Sequence, residues 1–415
     1  MLEFAELGFA MSHQVIRSDI CVVGDGAVGK AAALGLAQAG LSVALLGAGQ
    51  AASGNTLSVP SGLPDALDVR VFALNHVAYH LLHGLKVWDA LDVNRIAAVT
   101  SMMVKDASVD AKGAIDFDAY GSYISELAWI VEDSNLNHAL DAALRFAPNI
   151  QRINGSAEKL SSDAEHASIW MADGRELHAS LVVAADGAQS WVRGQVDIGL
   201  DYRSYGQQGV VTNFACEKPH HGVAHQWFVG EQGIIALLPL PGNQVSLVWS
   251  APDALAADLM RESLSSLIAR LQVYCAVTHG QLSPLQPEVI KAFPLRFIRP
   301  HSLVAQRVAL IGDAAHVVHP LAGHGMNLGF ADVQSLFNVV SQRESYRDCG
   351  DARVLSRYRR ARSEEVALMQ LATDGLERLF GSEIPAVRLV RDAGLNLLNR
   401  IPLLKRKLIS HAMGK

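Results

Sequence analysis

The sequence is poor in features that mark several large classes of protein. Its 415 residues hold four cysteines, Cys21, Cys216, Cys275 and Cys349. They lie far apart with no Cys-x-x-Cys pair, which argues for reduced thiols in a cytoplasmic setting and against a disulfide framework or a zinc site. No long Lys/Arg run occurs outside the far C-terminus and the formal net charge is -6; nothing on the body draws a polyanion, and nucleic acid is set aside as a partner. Nor is there an uninterrupted apolar stretch long enough to cross a bilayer, because the most apolar segment, residues 20–47, is broken by Asp25, Lys30, Gln38 and several glycines. Residues 1–17 carry Glu3 and Glu6 and lack a basic region ahead of an apolar run. They do not read as a secretory signal and are expected to form an extension before the fold. We find no internal repeat and no low-complexity stretch.

What is present is length and apolar content, 50% of residues being hydrophobic, which exceeds what one compact core holds and predicts two domains or a domain with a large insertion. From Asp19 a short apolar run (residues 20–23) meets a glycine-rich turn, an Ala/Leu-rich helix to about Ala39, a stop at Gly40 and a second run over residues 42–46: a βαβ unit. Further short strands are expected at 181–184 and 308–311, alternating strands between 209 and 250, and helix after 330. We therefore expect an α/β fold: a Rossmann-like dinucleotide domain (18–78, 111–199 and 291–345) with an inserted β-sheet substrate domain (79–110 and 200–290), and a C-terminal helical region (346–415).

Gly24-Asp25-Gly26-Ala27-Val28-Gly29 directly follows the first strand and opens a helix, the context in which GxGxxG carries meaning. Gly24 permits the tight turn, Gly26 lets the backbone approach a pyrophosphate, Gly29 lets helix and strand pack closely, and the helix N-terminus offers free N–H groups to phosphate. A glycine turn without a nucleotide is the plain alternative. The acidic residue that closes such a fingerprint is missing: its place reads Leu46-Gly47-Ala48. Lys30, at the helix entrance, is unfavourable against the helix dipole but able to meet a phosphate. Two more motifs, residues 185–193 (ADGAQSWVR) and 312–316 (GDAAH), each follow a short apolar strand and put Asp186 and Asp313 at the C-terminal edge of a parallel sheet, where ligands bind in this class of fold. Singly, each aspartate reads as an N-cap or turn former. Beyond them Pro320, Gly323 and Gly325 specify a stiff loop ahead of a helix N-terminus. His316, His319 and His324 cluster in sequence, but no second ligand group accompanies them, so no metal is expected. His319 and His324 are candidates for moving a proton, with loop packing as the plainer reading.

With these motifs in this order, the chain resembles the group A flavoprotein aromatic hydroxylases and, within them, the ubiquinone-biosynthesis hydroxylases of the UbiH/UbiF/UbiI type, over about residues 19–413. Supporting matches are Arg70 to Asn75, Val131-Glu132-Asp133, Tyr205 with Gln207, residues 236–240 with 248–250, Phe293-Pro294-Leu295, and the C-terminal segment from Leu376. The resemblance implies a p-hydroxybenzoate hydroxylase-like fold with FAD resident and NADPH or NADH visiting. Gly24, Gly26 and Gly29 would hold the FAD pyrophosphate, Arg70 would contact FAD, and Gly312 with Asp313 would meet ribityl or ribose hydroxyls. Asp186 and Gly187 would serve FAD and the nicotinamide donor, and Pro320, Gly323, Gly325, Met326 and Asn327 would line the isoalloxazine ring. Gly47, Phe72 and His324 depart from the family pattern.

The activity implied is hydroxylation of the ring of a polyprenyl phenol in ubiquinone biosynthesis, with O2 activated as a flavin C4a-hydroperoxide; the chemistry belongs to the cofactor, and the protein orients the substrate and excludes water. Tyr205, Phe228, Leu237 and Phe293 are expected in the substrate wall. Two other readings stay open: a catalytically degenerate scaffold in a biosynthetic complex, motivated by Gly47, and a flavin dehydrogenase or oxidase of the same fold. Residues 351–415 carry 13 Lys+Arg against 7 Asp+Glu, and the first 350 carry 22 against 34. In residues 388–407 the basic side chains mix with apolar Leu389, Val390, Leu395, Leu398, Ile401 and Leu404, which suits a helix lying on an anionic membrane, or equally a solvated helix covering the core. The expected location is the cytoplasm, peripheral at the inner membrane.

Overall fold

The computed structural model describes residues 15–47, 67–107, 114–120, 124–285, 288–319 and 324–381. The first sheet has eight strands: β1 (Val15–Val23), β2 (Val43–Gly47), β8 (Ile150–Asn154), β9 (Ala157–Ser162), β10 (Ala167–Met171), β11 (Glu176–Ala184), β18 (Val304–Ala305) and β19 (Val308–Leu310). Its spine runs β18-β19-β11-β1-β2-β8; β10 pairs antiparallel with β11, and β9 antiparallel with β10. The five strands from β19 to β8 are parallel. Parallel strands covered on both faces must be apolar along their length, and β1 and β11 each end in four consecutive buried residues. Helix α1 (Ala27–Gln38) is buried from Ala31 to Ala37 because it lies between the sheet and a second layer, and small residues such as Gly35 let Phe337 approach it.

The second sheet comprises β5 (Ser101–Asp106), β6 (Ala114–Asp118), β12 (Leu200–Cys216), β13 (Val223–Phe228), β14 (Ile234–Leu240), β15 (Gln244–Pro252), β16 (Leu282–Pro284) and β17 (Lys291–Pro300). One face is closed by α5 (Asp253–Leu259) and α6 (Leu264–His279) over a core that includes Phe214, Trp227, Leu237, Trp249 and Leu267. A small sheet of β3 (Val71–Leu74), β4 (Ile96–Val99) and β7 (Ala128–Glu132) packs on its other side through Ile130, Ala224 and Leu240. The remaining helices are α2 (His76–Gly84), α3 (Asp133–Arg145), α4 (Trp191–Gln195), α7 (His324–Ser341) and α8 (Ala352–Gly381).

Strand pairing draws the domain boundaries differently from the sequence pattern. The expected boundary at residue 79 falls inside α2, whose Leu81 and Leu82 join the core of the first sheet. Strand β6, assigned above to the dinucleotide domain, is the edge of the second sheet, and β17, also assigned there, pairs with β12 over residues 291–300. Periodicity identifies a strand but not its partner, and partners decide the domain. The strand expected to begin at Ile20 reaches back to Val15, into the expected extension, because β11 offers a parallel partner from Glu176 onward. In α8, Val354, Leu355 and Tyr358 enter the first core, and the Tyr358 hydroxyl donates to Leu310 O at 2.7 Å. No described helix is long and apolar enough to cross a membrane. Residues 382–415, with the amphipathic segment 388–407, lie outside the described residues.

Candidate active site

The three motifs far apart in sequence become one edge. Gly24 N donates to Leu46 O at 2.8 Å, Ala185 N to Val23 O at 2.8 Å and Ile311 N to Ala184 O at 2.9 Å, so the loops leaving β1, β11 and β19 are stitched side by side at the C-terminal ends of their strands. The stitching leaves no room for side chains. Gly24 has φ +111° and a Cβ there would lie 2.3 Å from Ala185 O; one at Gly29 would lie 2.0 Å from Gly24 O. At Gly26, by contrast, a Cβ meets nothing within 4 Å, and α1 starts with no side-chain cap and no acid in its first turn. An open backbone approach to uncapped N–H groups suits a phosphate.

Two carboxylates flank that edge. Asp186 accepts from Val192 N at 3.0 Å with one oxygen, the turn-forming role, while its other oxygen is buried with no hydrogen-bond partner among the described residues. Asp313 opens to solvent, yet protein crowds it on its other sides; this desolvation raises its carboxyl pKa against the pull of His316 and Arg70. Arg70 is half-exposed, lies over the Phe72 ring at 5.2 Å and sits 3.7 Å from Asp133. Gly187 adopts φ +82°, and Gly312, buried, donates its N–H to Asp332 at 2.9 Å. The side chain of Asn327 bridges to the backbone of β3 and α2: Oδ1 accepts from Asn75 N at 2.9 Å and Nδ2 donates to Ala73 O at 2.8 Å. Met326 packs on the first core, and Gly325 stands in the first turn of α7 with nothing within 4 Å of where a Cβ would be. Pro320 and Gly323 lie outside the described residues, as does the side chain of His324.

Lys30 requires a correction. It is buried, and its ammonium binds Asp141 at 2.8 Å and Asn137 at 3.1 Å, both on α3. A cation at the start of a helix is unfavourable for the dipole, and here the partner that compensates it is a neighbouring helix rather than a phosphate. One functional support was missed altogether. Asp332, fully buried on α7, accepts from Gly312 N, from His316 Nε2 at 2.6 Å and from Arg362 Nε at 2.7 Å. Burial opposes its charge, but His316 and Arg362 outweigh that and hold its pKa low. The loop carrying Asp313 is thus anchored by a charge network between α7 and α8. His316 is a packing and hydrogen-bonding residue.

The second sheet reaches the same edge through β12. Pairing with β17 shifts from Ser204↔Arg296 to Gln208↔Pro294, leaving two extra residues in β12, and bulges of this kind re-aim side chains. The re-aimed Tyr205 ring meets the His319 ring edge-on at 4.9 Å, and Gln207 Oε1 lies 3.1 Å from His319 Nε2. Burial lowers the His319 pKa to about 4, so its imidazole is neutral at physiological pH. Phe293 is half-buried across Gly209, where a Cβ would lie 2.6 Å from its ring. Two expected wall residues are elsewhere. Leu237 is fully buried on the helix-covered face of the sheet with Trp227 and Trp249, and Phe228 is enclosed with Val104, Ile115 and Ile234. Strand alternation turns Ala236 and Leu238, not Leu237, away from the helices. The described residues contain no group of three potential metal ligands.

Residues 151–371 match the family described as an FAD binding domain, and residues 19–227 match glucose inhibited division protein A. The chain is 33% identical to the 3-demethoxyubiquinol 3-hydroxylase of Escherichia coli K12, covering 96% of this chain and 98% of that one. It is 31% identical to the ubiquinone hydroxylase UbiL of Rhodospirillum rubrum, over 96% and 90% of the two chains. Among solved structures, p-nitrophenol 4-monooxygenase from Pseudomonas putida shares the fold at TM-score 0.72 and 20% identity, covering 95% of this chain and 97% of that one. The uncapped α1 terminus, the unpartnered Asp186 oxygen and the open face of Asp313 fit the phosphate and hydroxyl groups of FAD. Family match, relatives and site agree: the chain belongs to the FAD-dependent monooxygenases of ubiquinone biosynthesis.

Proposed function

We propose that this protein hydroxylates the aromatic ring of a polyprenyl phenol precursor of ubiquinone, with FAD resident, NADPH or NADH as transient electron donor and O2 as co-substrate. The observation that carries the reading is the junction of two sheets: the bulge of β12 brings Tyr205 and Gln207 against His319, on the loop that follows the third dinucleotide motif. FAD supplies the redox chemistry when bound. Gly24, Gly26 and Gly29 give its pyrophosphate close access to the α1 amides, and Asp186, Asp313 and Arg70 offer partners for its hydroxyls and phosphates. Because His319 faces the Gln207 oxygen with Nε2, the neutral ring carries its hydrogen there, and Nδ1, which has no partner among the described residues, is left as an acceptor. We read that nitrogen as the candidate acceptor of a phenol proton.

The test is the absorbance spectrum of the purified protein followed by turnover under labelled O2. Bound FAD and one O2-derived atom in the phenol product are expected. Product without label would assign a dehydrogenase or oxidase, and folded protein that binds no FAD would assign a scaffold. The basic, apolar segment 388–407 is proposed to hold the enzyme at the anionic inner membrane, where so apolar a substrate resides, and to dock it with other enzymes of the pathway. Co-sedimentation with anionic vesicles checks this; equal binding after deletion of the segment removes the membrane role.

A further inference from the structure

The missing acid at the end of β2 has a counterpart one loop away. A Cβ on Gly47 would lie 2.5 Å from Oδ2 of Asp25, 2.8 Å from its Cγ and 3.2 Å from its Cβ. The Asp25 carboxylate therefore occupies the volume in which any side chain at position 47 would begin. The two positions exclude each other: an acid at 47 would collide with Asp25 and set two carboxylates side by side. Asp25 stands between Gly24 and Gly26 in the glycine turn and is exposed. No hydrogen bond or ion pair ties it to another described residue, and the uncapped N-terminus of α1 beside it favours negative charge.

In a dinucleotide fold the carboxylate at the close of the second strand accepts hydrogen bonds from a ribose hydroxyl. We propose that in this chain Asp25, reaching over Gly47 from the glycine turn, supplies that carboxylate and binds the ribose of the adenosine half of FAD. Gly47 is then a requirement rather than a loss, since only glycine leaves room for the Asp25 side chain. The relocated acid also removes the observation that motivated the scaffold reading. The inference rests on FAD binding at this edge and is independent of the phenol substrate.

Titration of the apoprotein with FAD, followed by flavin fluorescence, tests it. Asp25→Ala should weaken FAD binding roughly 10- to 100-fold, the range for a charge-assisted hydrogen bond. ADP should compete with FAD on the wild type and lose affinity by a similar factor on Asp25→Ala. Gly47→Glu alone should also weaken binding, through crowding against Asp25, whereas Gly47→Glu combined with Asp25→Gly should recover most of the affinity. An Asp25→Ala protein that binds FAD and ADP as the wild type does, or a double variant no better than Asp25→Gly, overturns the proposal. A wild type that binds no FAD overturns the reading of the whole site instead.

Discussion

The dinucleotide edge and the second sheet meet at one place but are built by opposite rules. At the edge, position is set by backbone: three loops are stitched N–H to carbonyl, and glycines stand where a Cβ would strike a neighbouring carbonyl. In the second sheet, position is set by which side chains a strand turns outward, and a two-residue bulge in β12 changes that direction where it matters. Changes at the edge glycines should therefore act through backbone geometry and remove most of the binding. Changes in the sheet should divide sharply by face.

The largest effect should come from Leu237→Asp. The carboxylate would be unpaired in the helix-covered core, costing about 4 kcal/mol or more, so loss of the folded protein is expected rather than uncoupled turnover. A soluble variant with wild-type thermal stability and raised peroxide release would return Leu237 to the pocket wall. Next is Gly24→Ala, which combines positive φ with a Cβ 2.3 Å from Ala185 O; about 3 kcal/mol and most of the bound flavin should be lost, measured by thermal melting and flavin content.

Acid titration separates the regions more gently. Burial lowers the pKa values of His225, His279 and His319 to about 4, His225 being affected further by His279 and Lys105, and His279 by His220. Below pH 6.5 the unfolded chain takes up protons that the folded state refuses, so stability is complete above pH 6.5 and falls as pH drops towards 4, by about 3 kcal/mol per histidine at most. Two of the three lie in the second sheet and its helix, so His279→Gln should flatten the urea-derived stability curve across this window; an unchanged slope would show that His279 is not held neutral. The smallest effect is expected for Gln207→Leu, which removes the partner of His319 Nε2 at about 1 kcal/mol. Stability should barely move while the pH profile of turnover shifts. An unaltered profile would count against His319 as proton acceptor.

The edge was legible because its logic is local. Residues 24–29, 185–193 and 312–316 each declare a strand, a turn and a group for a ligand within ten positions. Lys30 shows where local reading fails: its partners Asn137 and Asp141 lie more than a hundred residues away. Asp332 and Arg362 carry no motif, being single charges in amphipathic helices until packing brings them together under Gly312. Strand alternation around Leu237 was visible, but not which face the helices α5 and α6 would cover.

By itself, then, the sequence determined the parallel dinucleotide framework and the glycine turns at its strand ends, because glycine geometry and strand-end turns are properties of a few adjacent residues. The tertiary structure alone decided strand partners, the face of each residue of the second sheet, the neutral state of His319 and the close approach of Asp25 to Gly47. Each depends on distances between segments remote in the chain, and burial and contact are settled only when those segments pack.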